Sequence, residues 1–219
     1  MKNQKENILL AATKLFYEQG YKNTYMEEIA DVCEITKPLI TYYFKTKSNL
    51  ARQVTDKYLA DHKNNIALKL YTEYFKGGKT DLQVSTAVEI RLYDTLHLCD
   101  PNALRFMKEH ADENYEDTFP KDSVRLYKIH DRRYHLDIDR PADEISMIAR
   151  SAMSSSLSVK LAYASGEFNC TLEECLDYLT RVHFVLMHID KIRIDEIVAE
   201  SKHVLQQVNF EIKPYFQVV

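Results

Sequence analysis

Three observations on the 219-residue sequence predict an all-α fold. Glycine occurs only 4 times and proline 5 times, too few for a chain built of hairpins and bulges. Apolar residues recur at spacings of three and four, the period of a helix that buries one face. Every glycine and proline falls where one such segment gives way to the next, as sharp helix ends require.

The first helix is expected over 4–19, with Ile8, Leu9, Ala12, Leu15 and Phe16 on its inner face and Gly20 ending it. Thr24-Tyr25-Met26-Glu27 reads as a capping box that opens a second helix at about 25–32, with Met26, Ile29, Ala30 and Cys33 inward. Thr36 caps a third, about 37–44, and Pro38 sits in its first turn, where a missing N–H costs nothing. A long fourth helix runs over about 47–74 and stops at Phe75-Lys76-Gly77-Gly78-Lys79. Further helices are expected at about 81–98, 101–117, 121–135, 142–165, 171–190 and 194–209. Asp100-Pro101, Pro120, Arg140-Pro141, Gly166 and a Thr171-x-x-Glu174 capping box punctuate them. The tail from Phe210 to Val219 mixes β-branched and aromatic residues and reads as extended. Gly77-Gly78 is the strongest break, so we divide the chain into a head (1–47), a connecting helix (48–76) and a C-terminal domain (77–219).

Composition excludes several classes. With 45% hydrophobic and 28% charged residues the chain is globular rather than disordered. Its longest apolar runs, such as Phe184-Val185-Leu186-Met187, fall far short of the ~20 residues a membrane span needs, and nothing at the N-terminus resembles a secretory signal. The expected location is the cytoplasm, where Cys33, Cys99, Cys170 and Cys175 stay reduced. His97, His183 and His188 lack the i, i+4 partners of a metal site, and no phosphate loop or nucleophile elbow is present, so neither a metal, a cofactor nor an enzyme is expected. The net charge of −4 is unevenly spread. Residues 1–50 hold seven lysines against six acids, whereas the remainder holds 22 basic and 27 acidic side chains.

That mildly basic tip carries the functional motif. Helices two and three, joined by Val32-Cys33-Glu34-Ile35-Thr36, form a helix-turn-helix candidate. With Ile40 and Phe44 inward, the third helix turns Lys37, Pro38, Thr41, Tyr42 and Lys45 outward, the short polar face that a major groove admits. Residues 8–50, from Ile8-Leu9-x-Ala11-Ala12 through Gly20-Tyr21-x-x-Thr24 to Tyr42-Tyr43-Phe44-Lys45-Thr46-Lys47, resemble the DNA-binding region of the TetR family of bacterial transcriptional regulators. Glu34 departs from that pattern, which more often has glycine in the turn.

The resemblance implies a homodimer on palindromic double-stranded DNA. It sets Thr36, Lys37, Pro38, Leu39, Thr41 and Tyr42 against bases or adjoining backbone, and Thr24, Tyr25, Lys45 and Lys47 near phosphates. Lys37 suits guanine O6 or N7, and the Thr41 methyl suits thymine. The dimer interface would use Ala152, Ser155, Ser156, Val159, Cys175, Tyr178, Val182, Val185 and Ile189 from the helices at 142–165 and 171–190, whose apolar arc is too wide for one neighbour. Arg91 and Thr95 place polar groups on the apolar stripe of one helix, and His110 and Asn114 share an apolar face with Phe106 on the next. Such convergence describes either a pocket for a small-molecule effector or a satisfied internal network, for instance Arg91 with Glu109, Asp112 or Glu113. Two functions are compatible with this sequence: a repressor released from its operator by an effector, or a nucleoid-associated protein with a protein partner and no ligand.

Overall fold

A computed structural model describes residues 4–120, 123–138 and 143–219. Ten α-helices make up most of the described chain: α1 (Gln4–Gln19), α2 (Met26–Val32), α3 (Lys37–Phe44), α4 (Lys47–Lys69), α5 (Leu82–Cys99), α6 (Pro101–Asn114), α7 (Ser123–Tyr134), α8 (Glu144–Ala164), α9 (Leu172–Leu186) and α10 (Lys191–Gln207). The all-α expectation holds, with one addition. The tail is a two-stranded antiparallel hairpin, β1 (Ile212–Lys213) and β2 (Gln217–Val218), in which Ile212 faces Val218 and Lys213 faces Gln217.

Helix ends differ from expectation for local reasons. The long fourth helix widens at Leu70–Tyr74 into a π-helical turn, where Phe75 N–H reaches back to Leu70 O, and Gly77 N–H closes it on Tyr71 O. The helix expected through residue 117 gives way to a 3₁₀ turn at Tyr115–Thr118. The helix expected to reach 190 stops at Leu186, because His188 takes a left-handed φ of 59° and Asp190 caps α10. The Thr171/Glu174 capping box forms as read. The box at Thr24 does not: Tyr25 is the N-cap of α2, and the Thr24 hydroxyl donates backward to Gly20 O at 2.7 Å. Arg140-Pro141 and the expected helix starts at 121 and 142 lie outside the described residues.

Packing centres on α5, which touches α4, α6, α8, α9 and α10. A helix enclosed this way buries its polar residues too, and each needs a partner. Asp94 meets Lys160 of α8 at 2.8 Å with both side chains almost wholly buried. The Lys160 ammonium also lies over the Tyr93 ring. His97 is held between the Tyr58 hydroxyl and Tyr93 O. No described helix is long and apolar enough to cross a membrane.

Two outcomes follow. Lys160→Met leaves the Asp94 carboxylate buried alone and should cost about 3–5 kcal/mol in urea unfolding, most of it recovered by adding Asp94→Leu. The second concerns pH. Burial lowers the pKa of His62, His97 and His130 and pushes His110 and His183 down to about 4. The folded state therefore holds these rings neutral while the unfolded chain protonates them near pH 6.5, so stability is complete above that pH and drains away as pH falls toward 4. Glu89, pushed up to about 7, opposes this as a single group. Thermal melts should show the midpoint falling from pH 7 to pH 5; a flat or rising profile would contradict five neutral histidines.

Candidate functional site

The turn between α2 and α3 is built by backbone hydrogen bonds. Ile35 N–H bonds Ala30 O at 3.0 Å and Glu34 N–H bonds Asp31 O at 3.1 Å, the paired bonds of a Schellman stop. This geometry needs a left-handed residue after the helix. Glu34 supplies it with φ 54°, so the residue that departs from the glycine pattern adopts the glycine conformation at some cost in strain. The α3 helix then buries only Ile40 and Phe44 against the head. Lys45 ends α3 at φ 65° and ψ −58°, a γ-turn closed by Thr46 N–H on Phe44 O. The Thr46 hydroxyl then caps α4 at Asn49 N–H.

Thr36, Lys37, Pro38, Thr41, Tyr42 and Lys45 are exposed, Leu39 is half-buried, and Tyr42 is 70% exposed. Tyr25 lies open at the start of α2. Lys37 is already engaged, its Nζ 2.5 Å from Glu27 Oε1, and this pairing lowers the Glu27 pKa. Two expected phosphate contacts are placed otherwise. The Thr24 side chain is fully buried, its hydroxyl consumed by Gly20 O. Lys47 folds back, donating to Tyr21 O at 3.0 Å with its ammonium 4.2 Å from the Tyr21 ring centre.

The head is fastened to the body by an aromatic core. Phe106 of α6 packs 5.3 Å from Phe16 of α1 and 5.1 Å from Phe216 of the hairpin, and Phe216 stacks on Tyr58 of α4 at 5.0 Å. His110 belongs to this junction: its Nε2 lies 3.0 Å from Ser48 Oγ and its ring stacks on Tyr21. Gly20 lets α6 approach. A Cβ there would sit 2.5 Å from Glu109 Oε2, the oxygen that accepts Lys22 N–H. A cleft of about 650 Å³ opens beside the junction, between α1, α4 and the hairpin. A second, of about 320 Å³, lies among Arg52, Phe119, Ser146 and Arg150.

The expected pocket residues do not converge. Phe106 and His110 serve the head–body junction, and Asn114 bonds Asp117. Arg91 faces elsewhere, donating to Asp177 at 2.6 Å and Glu173 at 2.5 Å, and Thr95 bonds Arg91 O. Arg91 thus clamps α5 to α9, the internal-network alternative, with partners other than the Glu109, Asp112 or Glu113 considered from sequence. Glu173 and Asp177 were missed because an i, i+4 pair of acids on an exposed helix face resembles any solvated face. Neither cleft is lined by any of these five residues. No described group of three or more His, Cys, Asp or Glu side chains suits a metal.

The expected dimer residues divide by burial. Ala152, Ser156 and Cys175 are packed inside the chain, where they cannot meet a second copy. Ser155, Val159, Val182 and Ile189 are half-buried, while Tyr178 and Val185 are 54% and 56% exposed. Spaced at i, i+4 and i+7, Tyr178, Val182 and Val185 form an apolar stripe along α9.

Comparison with known proteins agrees with the geometry. Residues 8–54 match the family model described as bacterial regulatory proteins, tetR family. The chain is 23% identical over 208 residues to the uncharacterized HTH-type transcriptional regulator YerO of Bacillus subtilis (strain 168), covering 92% of this chain and 71% of YerO. Its fold is similar to that of RolR crystallised with resorcinol (TM-score 0.64, 13% identity, 90% of this chain and 93% of RolR). It is similar also to FadR of Thermus thermophilus, a TetR-family repressor in complex with lauroyl-CoA (TM-score 0.59, 16% identity, 85% of this chain and 96% of FadR). A Schellman-closed helix-turn-helix with an open α3 thus lies on the residues that match the tetR-family model, and over them the chain resembles the TetR family of bacterial transcriptional regulators.

Proposed function

We propose that the chain is a cytoplasmic homodimeric repressor whose two heads hold a palindromic operator and release it when a small-molecule effector enters the body. The observation that carries this reading is α3: it buries two side chains and presents Lys37, Pro38, Thr41 and Tyr42 to solvent. Lys37 and Thr41 read bases; Thr36, Pro38, Leu39, Tyr42, Tyr25 and Lys45 settle the helix against the backbone. Lys47 contributes to phosphate only by leaving Tyr21 O. The stripe of exposed Tyr178 and Val185 and half-buried Val182, together with half-buried Ser155 and Val159 of α8, joins the two copies. Residues 1–47 act as the reading head and 77–219 as the sensing and pairing domain, with 48–76 between. Supporting an effector, relatives of this fold are described with resorcinol and with lauroyl-CoA.

Selection from a random duplex library supplies the operator. On it, Lys37→Ala or Thr41→Ala should shift preference at one base position by ~1–3 kcal/mol, whereas Lys45→Ala should weaken all sequences alike and flatten the salt dependence. If all three merely scale affinity together, the division into reading and positioning residues is wrong. For the dimer, Val185→Arg places a charge in the α9 stripe and should yield a monomer by light scattering with operator affinity sharply reduced. An undisturbed dimer would remove α9 from the interface.

A further inference from the structure

Two buried polar atoms between α5 and α7 have no hydrogen-bond partner among the described residues. The Thr86 hydroxyl is buried and unbonded. Elsewhere in the body a helical threonine satisfies itself on the carbonyl four residues back, as Thr95 does on Arg91 O and Thr180 on Leu176 O. Thr86 does not, so its hydroxyl is turned away from its own backbone. His130 of α7 is completely buried; its Nδ1 is spent on Leu126 O at 2.9 Å, and its Nε2 meets nothing. Because a carbonyl accepts, Nδ1 carries the proton and Nε2 offers a bare lone pair. Glu89, one turn beyond Thr86 on the same face of α5, is half-buried and is acted on by Lys63 at a distance, with no hydrogen bond shaping its charge.

These groups share one region. The Tyr134 hydroxyl, one turn after His130, lies 3.3 Å from Gln83 N, one turn before Thr86. Tyr127 of the same stretch and Ala87 of α5 belong to one apolar cluster, and the His130 ring lies 6.3 Å from that of Phe184. A lone pair, a hydroxyl and a carboxylate thus lie in a region shared with Ala87, Tyr127 and Phe184 and bordered by the polar Gln83 and Tyr134. Buried acceptors without donors are costly, and a ligand that donates repays them.

We propose that Thr86, Glu89 and His130 form the effector site, and that its ligand is a protonated amine on an apolar or aromatic skeleton. The ammonium would sit between the Glu89 carboxylate and His130 Nε2, with the Thr86 hydroxyl accepting or donating as the ligand requires. This rests on the reading of the chain as an effector-controlled regulator. The charged groups near the site are Lys63 of α4, which reaches Glu89 and His130 electrostatically without pairing, and Asp81, which faces His130. Burial pushes the Glu89 pKa up to about 7, with Lys63 a smaller opposing influence. Glu89 is therefore ionised at pH 8 and ready for a cation.

The test is isothermal titration calorimetry of the full chain at pH 8 with 4-phenylbutylamine, 4-phenylbutanol and 4-phenylbutyrate, three head groups on one skeleton. The amine is expected to bind at least about tenfold more tightly than the alcohol, and the acid most weakly, as a charge-assisted bond implies. Glu89→Gln should erase the amine's advantage while alcohol binding stays, which also reports a folded site. Thr86→Val, equal in shape, should weaken the amine by a few-fold. Equal binding of all three, preference for the acid, or an amine advantage that survives Glu89→Gln would overturn the assignment. Amine binding that leaves operator occupancy unchanged would uphold this site and retire the regulatory reading, so the two failures are distinguishable.

Discussion

Where the helix-turn-helix head points is decided by one aromatic contact set. Phe16, Tyr58, Phe106 and Phe216 come from α1, α4, α6 and the terminal hairpin, four segments distant in sequence. Rings of this size supply the largest apolar burial a side chain can offer, and their packing tolerates little displacement. The polar contacts around them, His110 on Ser48 and Lys47 on Tyr21, refine an orientation that the rings impose. The head's core cluster therefore includes Leu96, Ala103 and Phe106 from the body.

The body depends on a different principle. Enclosing α5 on several sides commits Arg91, Asp94 and His97 to low-dielectric surroundings, and each survives by finding a dedicated partner on α9, α8 or α4. The same helix carries Thr86, whose buried hydroxyl has no hydrogen-bond partner among the described residues. Even the paired groups keep buried atoms without a hydrogen bond, Nε of Arg91 and Oδ2 of Asp94, so α5 carries unmet polar demand along its length.

Much of the fold was legible because helices announce themselves locally. The period of α1, Pro38 in α3 and the Thr171/Glu174 box depend on neighbours within one or two turns, and these were read correctly. The Thr24 box failed because its hydroxyl found Gly20 O first, a competition that residue spacing does not reveal. The hairpin was seen only as an extended tail, since its register depends on Phe216 being drawn into a distant core. At the site, the outward face of α3 followed from two inward residues. The proposed pocket did not follow from stripes on α5 and α6, because a polar residue on an apolar face looks the same whether its partner is a ligand or another helix.

The ion pair between Lys37 and Glu27 bears on how the protein searches DNA. A lysine held by its own carboxylate is a poor collector of stray phosphates. If Lys37 reads bases as proposed, it must leave Glu27 to reach a base edge, and the acid left behind then faces a duplex that repels it. Random sequence pays that repulsion without compensation. On the proposed function, such a pair would trade some absolute affinity for a wider gap between the operator and the vast excess of irrelevant DNA, which is the quantity that governs occupancy in a genome.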